Sequence, residues 1–506
     1  MRSVWGSAAS RGETQVTGSA AAMTIVAMAL GCAVVLGDLV MLSANLATVQ
    51  RGLHCSPGTT IFVGCLATVT LAAAVLGAGV LGDRYGMRRM FAVGAVGAIV
   101  FGLLAVAAPN AAVLMIARGC IGVAFAFLSS LSLAIINAVF PPDRRAMAIA
   151  RYLSAVYVLG LVPPAAGGFL AQHIGWRSGF LITPLLAAVA LMLTVRYVPE
   201  TARSNRKVDI PGLLVVAVAL IGLVFGISQL QNGLNPMTIA SIVVGILSAA
   251  AFVWWERRTD EPALDLRLFR SRRFSAAVAA GAASNLVQGA AMIMATYYLV
   301  IVRGTPIETF ALLLVPATLL SALAALGAGW AAQRFGARAV LAGGLAVLAV
   351  SLLVRQAFSA DTPIAAVAAV MALTSVGGAI VQTPQAAIMM SSAPTDLGGV
   401  VSAVKASVAG TFYSLGSALA ALLAVALFAG NSRLTQAGVG ADQARSALRT
   451  AHASAVGSDP ELISVATSAM IDTAHTLNVI MAAVPIAAMV LAVRLLRREP
   501  SHQVPR

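Results

Sequence analysis

Charge is scarce in this chain. Only 10% of its 506 residues are Asp, Glu, Lys or Arg, where a soluble domain carries roughly a quarter. Hydrophobic residues make up 59%, and the mean hydropathy is +0.92, which excludes a soluble globular fold. Lysine is almost missing. The two lysines, Lys207 and Lys405, precede Val208 and Ala406, so no G-K-[ST] phosphate loop and no nucleotide motor of that type is present. Neither H-E-x-x-H nor G-x-S-x-G occurs, which removes two hydrolytic chemistries, and no enzyme activity is expected. The five histidines, His54, His173, His452, His475 and His502, are scattered, so no metal site and no cofactor is expected. Cys32, Cys55, Cys65 and Cys120 form no C-x-x-C pair. They read as small core residues rather than a disulfide framework. Carboxylates are few as well: 18 against 33 basic residues leave a net charge of +15. Positive charge of this kind holds loops on one side of a membrane, and no nucleic-acid partner is expected.

What is present is a series of long apolar runs. A bilayer core of about 30 Å takes about 20 helical residues. Runs of that size are expected to cross at 22–49, 59–81, 88–108, 111–139, 146–171, 178–197, 210–230, 236–255, 274–302, 308–332, 338–358, 363–391, 399–429 and 473–494. They are continuous rather than alternating, which argues against a β-barrel. The first reads as a retained helix, not a cleaved signal. The expected fold class is an all-α polytopic membrane protein with 14 transmembrane helices. A six-helix bundle spans 1–200, an inserted pair (helices 7 and 8) spans 201–262, and a second six-helix bundle spans 263–506. An external loop is expected over 430–472, where "DPELISVATSAM" reads as a short helix with Asp459 as N-cap and Pro460 at N1. The termini and the loops after even-numbered helices hold 25 of the 33 basic residues, counting Arg151, Arg196 and Lys405 at helix ends, and the opposite loops hold 7. Both termini are therefore expected in the cytoplasm, with the chain a multi-pass protein of the cell membrane.

An internal repeat supports two related halves. "GVLGDRYGMRR" begins at Gly79 and "GWAAQRFGARA" at Gly329, with glycines at Gly86 and Gly336 and arginines at Arg88 and Arg338 in register. Such repeats mark secondary transporters. Gln333 stands where the first copy has Asp83.

Four stretches carry a family resemblance. "GVLGDRYGMRR" resembles the G-x-L-x-D-R-x-G-R-[RK] signature of the major facilitator superfamily, with Gly79, Leu81, Asp83, Arg84, Gly86 and Arg88 matching and Met87 departing. "LVPPAAGGFL" is similar to that family's antiporter motif G-P-x-x-G-G: Pro164, Gly167 and Gly168 match, and Pro163 replaces a glycine. "IARGCIGVAFAF" resembles R-x-x-Q-G through Arg118 and Gly122, with Ile121 in place of glutamine. "VVLGDLVMLSANL" resembles the L-D-x-T-x-x-N-x-A-L-P signature of the fourteen-helix drug:proton antiporters through Asp38 and Leu46. Gly37, Val40, Ser43, Asn45 and Ala47 depart from it.

The resemblance implies a secondary transporter that exports amphipathic or hydrophobic compounds, drug-like or metabolic, in exchange for protons by alternating access. It implies gating by Gly79, Asp83, Arg84, Gly86 and Arg88, and close helix packing at Pro163, Pro164, Gly167 and Gly168. Asp38 and Arg118 would be the proton-coupling pair. Asp38 is otherwise isolated, since no other charge falls between Glu13 and Arg51. Two readings of it stand: a carboxylate that titrates as water access alternates, and a permanent partner that fixes packing. Arg118 either meets Asp38 or snorkels outward from about two turns deep. Candidate cavity residues are Asn285, Gln288, Tyr297, Gln382 and Gln385, each of which could instead bridge helices. The expected partners are a small-molecule substrate, protons and the lipid bilayer. Proton-coupled uptake and a non-transporting sensor or scaffold on the same fold are the alternatives; flux in liposomes separates them.

Overall fold

The computed structural model describes residues 18–204, 208–229, 235–259, 261–453 and 460–496. Among these, 14 helices are long and apolar enough to cross a membrane. The crossings are helix 1 (Gly18–Leu53), helix 2 (Pro57–Tyr85), helix 3 (Met87–Val106), helix 4 (Ala111–Val139), helix 5 (Pro142–Leu159 and Val162–His173) and helix 6 (Trp176–Gly179 and Ile182–Tyr197). Then come helix 7 (Ile210–Gln229), helix 8 (Pro236–Glu256), helix 9 (Arg272–Thr296 with a π-helical end, Tyr297–Val302), helix 10 (Ile307–Phe335) and helix 11 (Ala337–Val354). Helix 12 (Ile364–Ser391), helix 13 (Gly398–Ala429) and helix 14 (Pro460–Leu495) complete the set. Many large apolar side chains point outward, among them Leu103, Leu185, Met192, Leu247, Leu312 and Leu323. That surface suits lipid and would be costly in water.

Local chemistry sets the breaks. The uncharged break at Pro109-Asn110 works because the Asn110 Oδ1 accepts the Val113 N–H at 3.0 Å and starts helix 4. Helix 8 starts the same way, with Asn235 Oδ1 accepting the Thr238 N–H at 2.8 Å ahead of Pro236. Helix 5 breaks at Gly160–Leu161, so that Pro163 and Pro164 fall in the first turn of its second segment. Donors are unneeded there, and proline is tolerated.

The inserted pair packs tightly on itself. A Cβ on Gly222 would come within 2.8 Å of Gly245, so small residues let helices 7 and 8 touch backbone to backbone. Helix 7 also lies against helix 2, with Phe62 stacked on Phe225 at 6.3 Å, and beside helix 13. It therefore covers the seam between the two bundles.

The expected external loop 430–472 is corrected. Helix 14 already starts at Pro460, and residues 432–436 and 441–453 are also helical. "PELISVATSAM" is the first part of the last crossing, not a separate short helix, because no breaker separates it from the apolar run. Asp459, the expected cap, lies outside the described residues. Leu434, Leu448, Ala466, Met470 and Phe428 form a small apolar cluster here, and an Arg433–Asp472 ion pair closes it.

Candidate functional site

Gly86 and Gly336 turn the chain at the same end of the bundle, the motif end, with φ of 104° and 85°. Only glycine takes such angles freely. Here the first repeat copy of one half meets the second half. Asp83 is buried at 5% exposure. Its Oδ1 accepts the Gly399 N–H at 2.7 Å and its Oδ2 accepts the Val400 N–H at 3.0 Å. The carboxylate thus caps helix 13, and the positive end of that helix favours its charge. Gly79 lies one turn earlier, where an added Cβ would sit 2.5 Å from the Gly399 carbonyl. The glycine brings the backbones close enough for the cap to reach.

Gly86 and Arg88 meet the first half, while Arg84 shares a small cavity with Asp396, Leu397 and Val400 of the second. Gly86 packs against the Glu200 carboxylate, and Arg84 lies over the Tyr85 ring. Arg88 does not reach the second half: its Nη2 donates to the Val195 carbonyl at 2.7 Å, at the end of helix 6. The second repeat copy packs as closely but without a carboxylate. Gly329 approaches Ala150 of helix 5, but Gln333 is exposed. Only one side of the two-fold arrangement carries the carboxylate cap.

Deep in the first half, Asp38 is 1% and Arg118 0% exposed. Arg118 Nη1 donates to Asp38 Oδ2 at 2.5 Å, and Thr183 of helix 6 donates its hydroxyl to Oδ1 at 2.7 Å. Helices 1, 4 and 6 are pinned together there. Arg118 does not snorkel. Its Nε and Nη2 are buried and make no hydrogen bond.

Helix 5 packs beside this triad, and its glycine pair divides. A Cβ on Gly167 would meet Met41 Cγ at 2.7 Å and the Gly179 carbonyl at 3.2 Å, whereas nothing lies within 4 Å of one on Gly168. The expected close packing therefore belongs to Gly167, and Gly168 is corrected to an open position. Gly167→Leu is expected to cost about 1–3 kcal/mol or more through overpacking and to lower transport sharply; Gly168→Leu should be near neutral. Equal flux and equal thermal stability for the two variants would reject this division. Gly37, just before Asp38, approaches the ring of Pro163. A glycine stands where the antiporter signature has leucine, and a proline stands where the helix 5 motif has glycine. Each departure makes room for the other. Gly37→Leu should therefore impair folding and be partly rescued by Pro163→Gly, with a coupling of about 1–3 kcal/mol in a double-mutant cycle. Simple additivity in that cycle would refute the pairing.

In the second half, Lys405 Nζ donates to Gln382 Oε1 at 3.0 Å, and Gln382 Nε2 donates to Asn285 Oδ1 at 3.3 Å. Gln288 lies against Gly378 and donates to Ser284 at 3.3 Å. An open cavity lies between helices 9, 10, 12 and 13, lined by Gln288, Met292, Leu314, Arg355, Thr374, Ser375 and Tyr413. Of the expected cavity residues, only Gln288 lines it. Asn285 and Gln382 belong to the Lys405 chain. Gln385 is buried against Gly281. Tyr297 is corrected to a separate, smaller cavity facing helix 14.

Residues 26–421 match the profile of the Major Facilitator Superfamily. The chain belongs to the major facilitator superfamily. It is 30% identical over 418 residues to the multidrug resistance protein Stp of Mycobacterium tuberculosis, covering 80% of this chain and 77% of that one. It is 28% identical over 407 residues to the multidrug efflux pump LfrA of Mycolicibacterium smegmatis, covering 80% of each. Among solved structures, the human organic anion transporter MFSD10 superposes with a TM-score of 0.63 at 14% identity, covering 94% of this chain and 100% of that one.

Several residues at the sites of this superfamily member escaped the sequence reading. Thr183, Gly399 and Val400 act through contacts 145, 316 and 317 residues away in sequence, which no local pattern announces. Lys405 was countable only as a helix-end charge. Arg355 was one more charge in an outer loop.

Proposed function

We propose that this chain exports amphipathic small molecules in exchange for protons, the two six-helix halves rocking against each other to give alternating access. The observation that carries the reading is the Asp83 cap, a carboxylate of one half holding a helix N-terminus of the other. It is a latch that must open if the halves are to rock. Stp and LfrA, named for multidrug resistance and efflux, support export. In this reading the motif end faces the cytoplasm, as does the side holding 25 of the 33 basic residues, and both termini lie there. Gly79 and Asp83 form the gate proper. Arg84, Gly86 and Arg88 shape the turn that presents Asp83. Asp38 and Arg118 couple the proton, and the pump works in the cytoplasmic membrane with helices 7 and 8 as an inserted brace.

The test is purified protein in liposomes under an imposed pH gradient, screened against a panel of amphipathic compounds. Uphill accumulation that collapses with a protonophore is the expected result. Gradient-independent flux, or none, rejects proton-coupled export.

A further inference from the structure

The interior of the first half is electrically balanced, and that of the second half is not. Arg118 has Asp38. Arg355 is as deeply placed, at 5% exposure, yet its partners are uncharged. Nη1 meets the Ala291 carbonyl at 3.4 Å and Nη2 meets the Thr374 hydroxyl at 3.0 Å. Its Nε is buried and makes no hydrogen bond. A buried cation without a counter-charge is costly to hold. Arg355 lines both the open cavity between helices 9, 10, 12 and 13 and a second, narrower space beside Tyr298, Phe358 and His475, and neither is lined by a carboxylate. The only other lysine or arginine deep in this half, among the described residues, is Lys405, which also rests on an uncharged partner, Gln382. Both deep cations of this half thus rest on uncharged partners.

We propose that Arg355 receives the anionic group of the transported compound, so that the cavity lined by Gln288, Thr374, Ser375 and Tyr413 selects amphipathic organic anions over cations. This rests on the export reading above and names its substrate class. A guanidinium edge formed by Nε and an Nη fits the paired oxygens of a carboxylate or sulfonate. Gln288, Thr374 and Ser375 offer further donors. Met292, Leu314 and Met371 supply the apolar wall that an amphipathic body needs. An anion entering here would meet a charge the protein has already desolvated. A cation would meet repulsion in a medium that screens it poorly.

The test uses fluorescein and rhodamine 6G, which share a xanthene core and differ in charge. Binding of each to the purified full-length protein in detergent is read by fluorescence anisotropy. Fluorescein should bind more tightly. Arg355→Gln should weaken fluorescein about tenfold or more while tightening rhodamine 6G, whose repulsion it removes, and Arg355→Lys should keep part of the fluorescein affinity. Gln288→Glu, which leaves Arg355 in place, should lower fluorescein affinity and raise that of rhodamine 6G. Tighter rhodamine binding in the unaltered protein, equal losses for both dyes in Arg355→Gln, or no effect of Gln288→Glu on fluorescein would overturn the assignment. Flux in liposomes is scored separately. Arg355-dependent fluorescein binding without transport keeps the anion site and rejects export. Transport blind to charge keeps export and rejects the anion site.

Discussion

Asp83→Asn is expected to open the motif end. The native carboxylate accepts two backbone N–H groups from helix 13, at 2.7 and 3.0 Å. Hydrogen bonds to a charged acceptor contribute about 1.5–3 kcal/mol each, and the helix N-terminus adds to that. Asparagine keeps one carbonyl acceptor, loses the charge and turns an NH2 donor toward one of the two N–H donors. A loss of about 1.5–3 kcal/mol corresponds to a roughly 10- to 100-fold shift in the ratio of closed to open forms. Transport should fall by at least about tenfold, because a latch that no longer closes cannot complete the cycle. Membrane insertion should be unaffected, since the helix keeps its apolar length. Spin labels on Arg89 and Asp396, in a background lacking the native cysteines, should report a longer inter-half distance in the variant. An unchanged distance distribution with normal flux would sink the latch. Gln333, exposed at the matching position of the second copy, is the internal control: Gln333→Ala should shift neither measurement.

How much of this was legible in the chain depends on the range of the interaction. The crossings were, because each is decided by some 20 neighbouring apolar residues. Helix 14 was misjudged at its start because its first part is only moderately apolar and nothing in it breaks a helix. The Asp83 turn was legible as a motif, but not its partner: Gly399 and Val400 donate backbone N–H groups, which leave no signature in residue type. The reverse held for Gly37 and Pro163. Read along the chain, each is a departure that weakens a resemblance; in space they are one contact. Thr183 and Arg355 were invisible for a further reason. A threonine or arginine near a helix end is ordinary until folding shows which carboxylate it meets, or that it meets none.

The largest effect is expected at Asp38. Its carboxylate holds the Arg118 guanidinium and the Thr183 hydroxyl in a site that both ionic side chains fill with no exposure. A proton arriving there would cancel the ion pair, release Arg118 and loosen helix 1 from helices 4 and 6. That is a chemical event able to favour one arrangement of the halves over the other. The competing reading is a permanent pair that only fixes packing. Asp38→Asn alone does not separate them, because it strands a buried arginine, a change that costs about 3–5 kcal/mol whether or not the site titrates. The discriminating variant is Asp38→Asn with Arg118→Met. Removing both charges takes away the stranded cation, and the asparagine carbonyl still accepts the Thr183 hydroxyl, so most of the penalty of a lone buried charge is gone. The double variant is expected to regain most of the thermal stability lost in the single one. It should still exchange substrate for substrate across liposomes, since that needs no net proton movement. Accumulation driven by a pH gradient should be abolished. If the double variant still pumps uphill with undiminished dependence on the gradient, the pair is structural and the proton travels elsewhere. If stability is restored and only the coupling is gone, the isolated aspartate of the first helix is the proton's binding site.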